Sequence, residues 1–137
     1  MAEILKSWFS LLQKHYKDFL RQQLFDFKGQ VPEGLTRKPG VYAIYAQGNT
    51  LYIGESGDLR KRVWTSHKSG RTNGDQFNRH LKGKMGLATE EERRRYAQDC
   101  EIRFLISDDA GDLSDLRTRK LVEGFLICVL NPRLNDS

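Results

Sequence analysis

The stretch Tyr52-Ile53-Gly54-Glu55-Ser56-Gly57-Asp58-Leu59-Arg60-Lys61-Arg62 starts as a strand and ends as a helix loaded with cations. Leu51, Tyr52 and Ile53 suit a pleated segment, Gly54 interrupts it, and Asp58 is placed to cap the helix that follows. A first helical turn favours anions, because the helix dipole leaves partial positive charge there. Arg60, Lys61 and Arg62 in that position therefore ask for a negative partner. The neighbourhood enlarges the demand. Arg60, Lys61, Arg62, Lys68, Arg71, Arg79, Lys82 and Lys84 stand against Asp75 as the only acid between 60 and 84. A local excess of this kind is the electrostatic footprint of a phosphate backbone.

The elements that must position these residues belong to a chain of 137 residues, the size of one domain with a short appendage. The net charge of +5 agrees with a polyanionic partner without requiring one. Cys100 and Cys128 have neither the CxxC spacing nor the histidines of a zinc site. Cys128, inside an apolar helical run, reads as a small core residue. No cleavable signal and no apolar run of membrane-spanning length is visible, so the expectation is a soluble, intracellular, cytoplasmic protein with no membrane partner.

Ile4, Leu5, Trp8, Leu11, Leu12, Tyr16, Phe19 and Leu20 recur at helical spacing, predicting one long amphipathic helix over about 3–25. Its apolar stripe suits packing on the domain first, and a homodimer or protein partner second. Gly29, Pro32, Gly34 and Pro39 mark a linker, dividing the chain into an N-terminal helix and linker (1–36) and a second unit (37–137). From there the pattern predicts strand 41–46, turn 47–50, strand 51–54, and helix from Asp58 to about His67. A loop 68–74 and a short helix 76–82 come next, then a helix opened by the Thr89/Glu92 capping box. Strand 100–106, turn 108–112 and a final helix 114–130 stopped before Pro132 complete an α+β layout. Three strands are expected, flanked by helices and preceded by the added N-terminal amphipathic helix.

Gly40-Val41-Tyr42 followed by Tyr52-Ile53-Gly54 on a hairpin resembles the paired signature that names the GIY-YIG nuclease superfamily, here as a small stand-alone domain protein. Further features fall in register. The arginine expected eight residues after the glycine of YIG is Arg62, the glutamate of the last helix is Glu123, and the asparagine twelve residues beyond is Asn135. The resemblance implies a metal-dependent endonuclease that hydrolyses nucleic-acid phosphodiesters, DNA ahead of RNA. It implies one divalent ion, Mg²⁺ or Mn²⁺, held by Glu123, and Arg62 on the scissile phosphate. Tyr42 takes the general-base role, with Arg62 and the metal expected to lower its pKa, and Tyr52 positions or relays. Gly54 and Asn135 support the site.

Two departures stand out. Several family members carry histidine four residues after the arginine, where Ser66 stands here; His67 comes one later and is the weaker candidate. Some relatives carry lysine directly after YIG, where this chain has Glu55, removing a positive helper. Arg60, Lys61, Lys68, Arg71, Arg79, Lys82 and Lys84 form the expected nucleic-acid surface. The alternative is a non-cleaving nucleic-acid-binding module of the same fold.

Hairpin parity constrains the shared site. Strand side chains alternate between faces, so a two-residue turn at Gly48-Asn49 would separate Tyr42 from Tyr52. A three-residue loop Gly48-Asn49-Thr50, or a bulge of equal effect, puts both phenols on one face with Arg62 and Glu123. That arrangement is the expectation.

Overall fold

The hairpin meets the parity requirement with a bulge. In the computed structural model, which describes residues 2–35, 37–106 and 112–135, β2 (Gly40–Ala46) and β3 (Asn49–Ser56) pair antiparallel. Tyr45 faces Thr50, but Ile44 faces Tyr52, so Leu51 is the extra residue. The turn itself is two residues, Gln47 and Gly48, at φ of 52° and 80°. Both are left-handed, which matches the twist of the strands. The loop therefore sits one residue earlier than the expected Gly48-Asn49-Thr50, and the bulge restores the parity. Tyr42, opposite Gly54, and Tyr52, opposite Ile44, lie on the same face.

The sheet has four strands, all antiparallel, in the order β1-β4-β2-β3. β4 is Glu101–Ile106. β1, Leu24–Asp26, corrects the expected three-stranded sheet and the expected long helix, since α1 ends at Leu20. Three residues give no alternation to read, and Phe25 happens to continue the helical period.

Each face of the sheet carries its own core. Tyr42, Ile44, Tyr52, Ile102 and Phe104 pack with Leu59, Val63, Phe77, Leu81 and Ala97. These come from the segment after β3 and from α2 (Gln76–Met85) and α3 (Glu90–Gln98). Val41, Ala43, Ile53 and Leu105 face the other way, onto Phe19 of α1 (Ala2–Leu20) and Val122 and Leu126 of α4 (Leu116–Leu130). α1 packs by its second half, where His15 and Phe19 are buried, while Ile4, Leu5 and Phe9 are exposed. α3 opens with the expected Thr89/Glu92 capping box. Cys128, expected in the core, is exposed on α4, whereas Cys100 is buried. The turn expected at 108–112 lies mostly outside the described residues.

Between β3 and α2 the chain does not form the expected α-helix. Arg60–Ser66 is π-helical and His67–Ser69 is a 3₁₀ turn. Asp58 still caps the start, its Oδ1 accepting from the Lys61 N–H at 3.2 Å. No helix among the described residues is long and apolar enough to cross a membrane.

Candidate active site

The π-helical segment settles where His67 goes. Its N–H bonds back to the Arg62 carbonyl, five residues earlier, and to Val63. One wide turn thus joins Arg62 to His67 and absorbs the one-residue offset that an α-helix would turn into a rotation of about 100°. His67 is fully inside, against the two strand tyrosines, with ring centroids 5.5 Å from Tyr42 and 5.9 Å from Tyr52.

Two short hydrogen bonds run through its ring. His67 Nδ1 lies 2.6 Å from Asp75 Oδ1, and Nε2 lies 2.6 Å from the Tyr42 hydroxyl. A carboxylate only accepts, so Nδ1 carries the proton and donates to Asp75. Nε2 is then an acceptor, and the Tyr42 O–H donates to it. Asp75 is the N-cap of α2, and its Oδ2 accepts from the N–H of Asn78 at 3.1 Å and from the Asn78 side chain at 2.8 Å. Asn78 also donates to the Ser66 and His67 carbonyls, tying the 3₁₀ turn to α2. Nothing in the sequence pairs Asp75 with His67; it stood out only as the one acid between 60 and 84.

Electrostatics corrects one expectation. Burial, with smaller contributions from Tyr52 and Asp75, raises the Tyr42 pKa well above its ordinary value and outweighs the opposing pull of Arg62. Tyr52 is raised too, first by burial and then by Glu123. Both are neutral phenols near pH 7. Burial pushes the His67 pKa down against the upward pull of Asp75, so the imidazole is held neutral.

Gly54 is required by contact. A Cβ there would stand 2.3 Å from the Tyr42 hydroxyl oxygen, inside any van der Waals separation. Gly54 lies on the lining of an open pocket of about 320 Å³, with Tyr42, Tyr52, Arg62, His67, Arg79 and Glu123, and with Glu55 and Lys120. Arg62 is exposed at this pocket, its Nη1 donating to the Gly74 carbonyl at 3.3 Å.

Glu123 reaches the same pocket from the opposite face of the sheet. Its helix packs by Val122 and Leu126 beneath the strands, and the glutamate arrives past the β3 edge beside Gly54. The phenols and Arg62 therefore share a face, while Glu123 joins them around an edge rather than across a common surface. Its side chain is 20% exposed. Burial raises its pKa, Lys120 opposes this, and Glu55 adds to it.

Glu55 is committed. Its Oε2 accepts from Arg119 Nε at 2.8 Å, and its Oε1 lies 3.1 Å from Lys120 Nζ. Burial alone would raise its pKa, but these two cations hold it below the ordinary carboxylate range. Asn135 works as a substitute strand: its Oδ1 accepts from the Ile53 N–H and its Nδ2 donates to the Ile53 carbonyl, both at 2.7 Å. With Arg133 and Leu134 bonding to Thr50 and Leu51, the tail covers the β3 edge.

Of the expected nucleic-acid surface, Arg79 lines the pocket, and Arg60, Lys61, Arg71 and Lys82 are exposed. Lys68 lies over the Trp64 ring at 5.1 Å, and Lys84 bonds to the Leu134 carbonyl at 3.0 Å. The last two are partly occupied in holding the fold.

An antiparallel sheet with paired strand tyrosines, an arginine on the following helical turn and a glutamate from the last helix make up the candidate site of a small α+β domain. Residues 38–105 match the family model described as the GIY-YIG catalytic domain, and the chain belongs to that family, which implies a nuclease-type function. Glu123 and Asn135 lie beyond the matched residues and are joined to the site by the fold. No curated protein matches the chain.

Proposed function

We propose that the chain is a divalent-metal-dependent endonuclease that hydrolyses phosphodiester bonds, with DNA as the substrate. The observation that carries this reading is the Tyr42–His67–Asp75 series of hydrogen bonds opening onto a pocket that also holds Arg62 and Glu123.

A phenol with a raised pKa is a poor resting base, and the hydrogen-bond series removes the need for one. Water attacks phosphorus and gives its proton to the Tyr42 oxygen as Tyr42 passes its own to His67 Nε2. The new O–P bond forms as the bond to the leaving alkoxide breaks. Asp75 faces the resulting imidazolium and offsets its charge. Arg62 presents a planar fork of donors to the non-bridging oxygens, where negative charge accumulates. Tyr52, packed against Tyr42 and His67, keeps bulk water from their contact. Packed against Phe77 and His80 as well, its ring is held from several sides while lining the pocket.

Glu123 fits a hard cation. It offers a partly buried carboxylate on the pocket lining, whose pKa burial raises against the pull of Lys120, and Mg²⁺ commonly takes one or two carboxylates plus water and phosphate oxygens. When bound, such an ion supplies Lewis-acid stabilisation of the phosphate and the leaving oxygen. The test is incubation with labelled single-stranded, duplex and branched DNA and RNA in Mg²⁺, Mn²⁺ or EDTA. Cleavage of a DNA substrate that EDTA abolishes is the expected result; intact substrates throughout would reject the reading.

A further inference from the structure

Glu55 is itself an acid, yet the pocket wall built by β3 and α4 is not short of cations. Arg119 is nearly buried, and its Nη1 donates to the carbonyls of Leu113 at 3.1 Å and Ser114 at 3.0 Å while its Nε holds Glu55. That guanidinium already neutralises Glu55. Lys120 is therefore a second cation on a carboxylate that needs one. Its side chain is 59% exposed, and ion pairs of such exposure add little to folding. Its ammonium nevertheless has a definite address: 3.1 Å from Glu55 Oε1, 3.8 Å from Glu123 Oε1, and on the lining of the catalytic pocket. The Glu55 side chain that holds it there is only 11% exposed and is fixed from behind by Arg119.

We propose that Lys120 contacts the substrate phosphate at the scissile position, with Glu55 as its positioning residue. The inference rests on the reading of the pocket as a phosphodiester site. Arg62 approaches from the helices on one face of the sheet and Lys120 from α4 on the other. The phosphate is then met by cations from both sides of the β3 edge. The residue after Gly54 is here the anchor of a positive charge that α4 supplies.

Binding in EDTA reads this contact without any cleavage. Fluorescein-labelled duplex DNA is titrated over a salt series with wild type, Lys120→Met and Lys120→Arg. For Lys120→Met the slope of log affinity against log salt becomes shallower by about 0.9, the value of one phosphate contact on duplex DNA. Lys120→Arg restores the slope, and the thermal midpoint is unchanged in both. A wild-type slope in Lys120→Met overturns the proposal. Single-turnover cleavage in Mg²⁺ supplies the second arm: Glu55→Gln, which keeps its shape, cuts about tenfold more slowly without binding more weakly, as misplacement of a contact does. Wild-type cleavage by Glu55→Gln removes its positioning role. If wild type cleaves and Arg62→Ala does not, an unchanged Lys120→Met slope sinks the contact alone. If wild type cleaves nothing but the slope falls, Lys120 meets a phosphate that is not a scissile one, and the nuclease reading and the scissile position fail together.

Discussion

The two walls of the pocket handle charge in opposite ways. On one, Tyr42, His67 and Asp75 are buried and joined by two 2.6 Å hydrogen bonds, with a single formal charge at the far end. On the other, Arg119, Glu55, Lys120 and Glu123 alternate in sign along the series of contacts, and Lys120 is the most exposed. Proton transfer needs short, fixed contacts shielded from water. Meeting a phosphate and a metal needs charges that can exchange partners. One wall is built for the first task and the other for the second, and Gly54 lies where they meet.

The largest effects should come from the two charged groups that meet the phosphate and the cation, Arg62 beside the buried wall and Glu123 on the charged one. Arg62→Ala and Glu123→Ala are each expected to slow cleavage about a thousandfold, the scale of losing one charge-stabilising group. Circular dichroism should be unchanged and DNA binding retained. Near wild-type cleavage by either purified variant would show that the charged groups are not the working ones.

Gly54→Ala strikes the seam between the walls. The added methyl meets the Tyr42 hydroxyl oxygen at 2.3 Å. Overpacking of this kind costs about 1–3 kcal/mol. Displacing the phenol from His67 should slow cleavage about a hundredfold. Denaturant unfolding and single-turnover rates check both. A fully stable, fully active Gly54→Ala would mean that the phenol has room to move.

How much of this was legible in sequence differs between the walls. Spacing from Gly54 marked Arg62, and the last helix and its tail marked Glu123 and Asn135, while hairpin parity put Tyr42 and Tyr52 together. The means were less visible. The bulge at Leu51 depends on Gln47 adopting a left-handed conformation, which a non-glycine residue does not advertise. A π-turn leaves no periodic signature in seven residues, so His67 looked misplaced by one. Asp75 and Lys120 act through contacts between elements, and no local pattern encodes those. β1 was too short to show alternation.

The buried wall should also appear in stability against pH. Above about pH 6.5 His67 is neutral folded and unfolded; below it the unfolded chain takes up a proton that the folded imidazole, its pKa lowered, resists. Stability therefore falls as pH drops below that value. Denaturation at pH 7.5 and 5.5 should show a larger loss in wild type than in His67→Gln. Equal losses would contradict a buried neutral imidazole.

The smallest effect belongs to the outer surface. Neutralising Lys68, Arg71 and Lys82 together should flatten the salt dependence of DNA binding by up to about 0.9 for each phosphate these cations no longer meet, with little change in the cleavage step. An unchanged slope would move the nucleic-acid surface off this segment.

The central claim is that a neutral, buried Tyr42 moves the proton of the attacking water through His67. Tyr42→Phe keeps the ring and removes the hydroxyl alone, so the direct measurement is its single-turnover rate on labelled DNA in Mg²⁺, beside its affinity in EDTA. The account predicts a loss of about 10²–10⁴ in rate, the range of general-base catalysis, with affinity preserved. A Tyr42→Phe variant cleaving at near wild-type rate would contradict it.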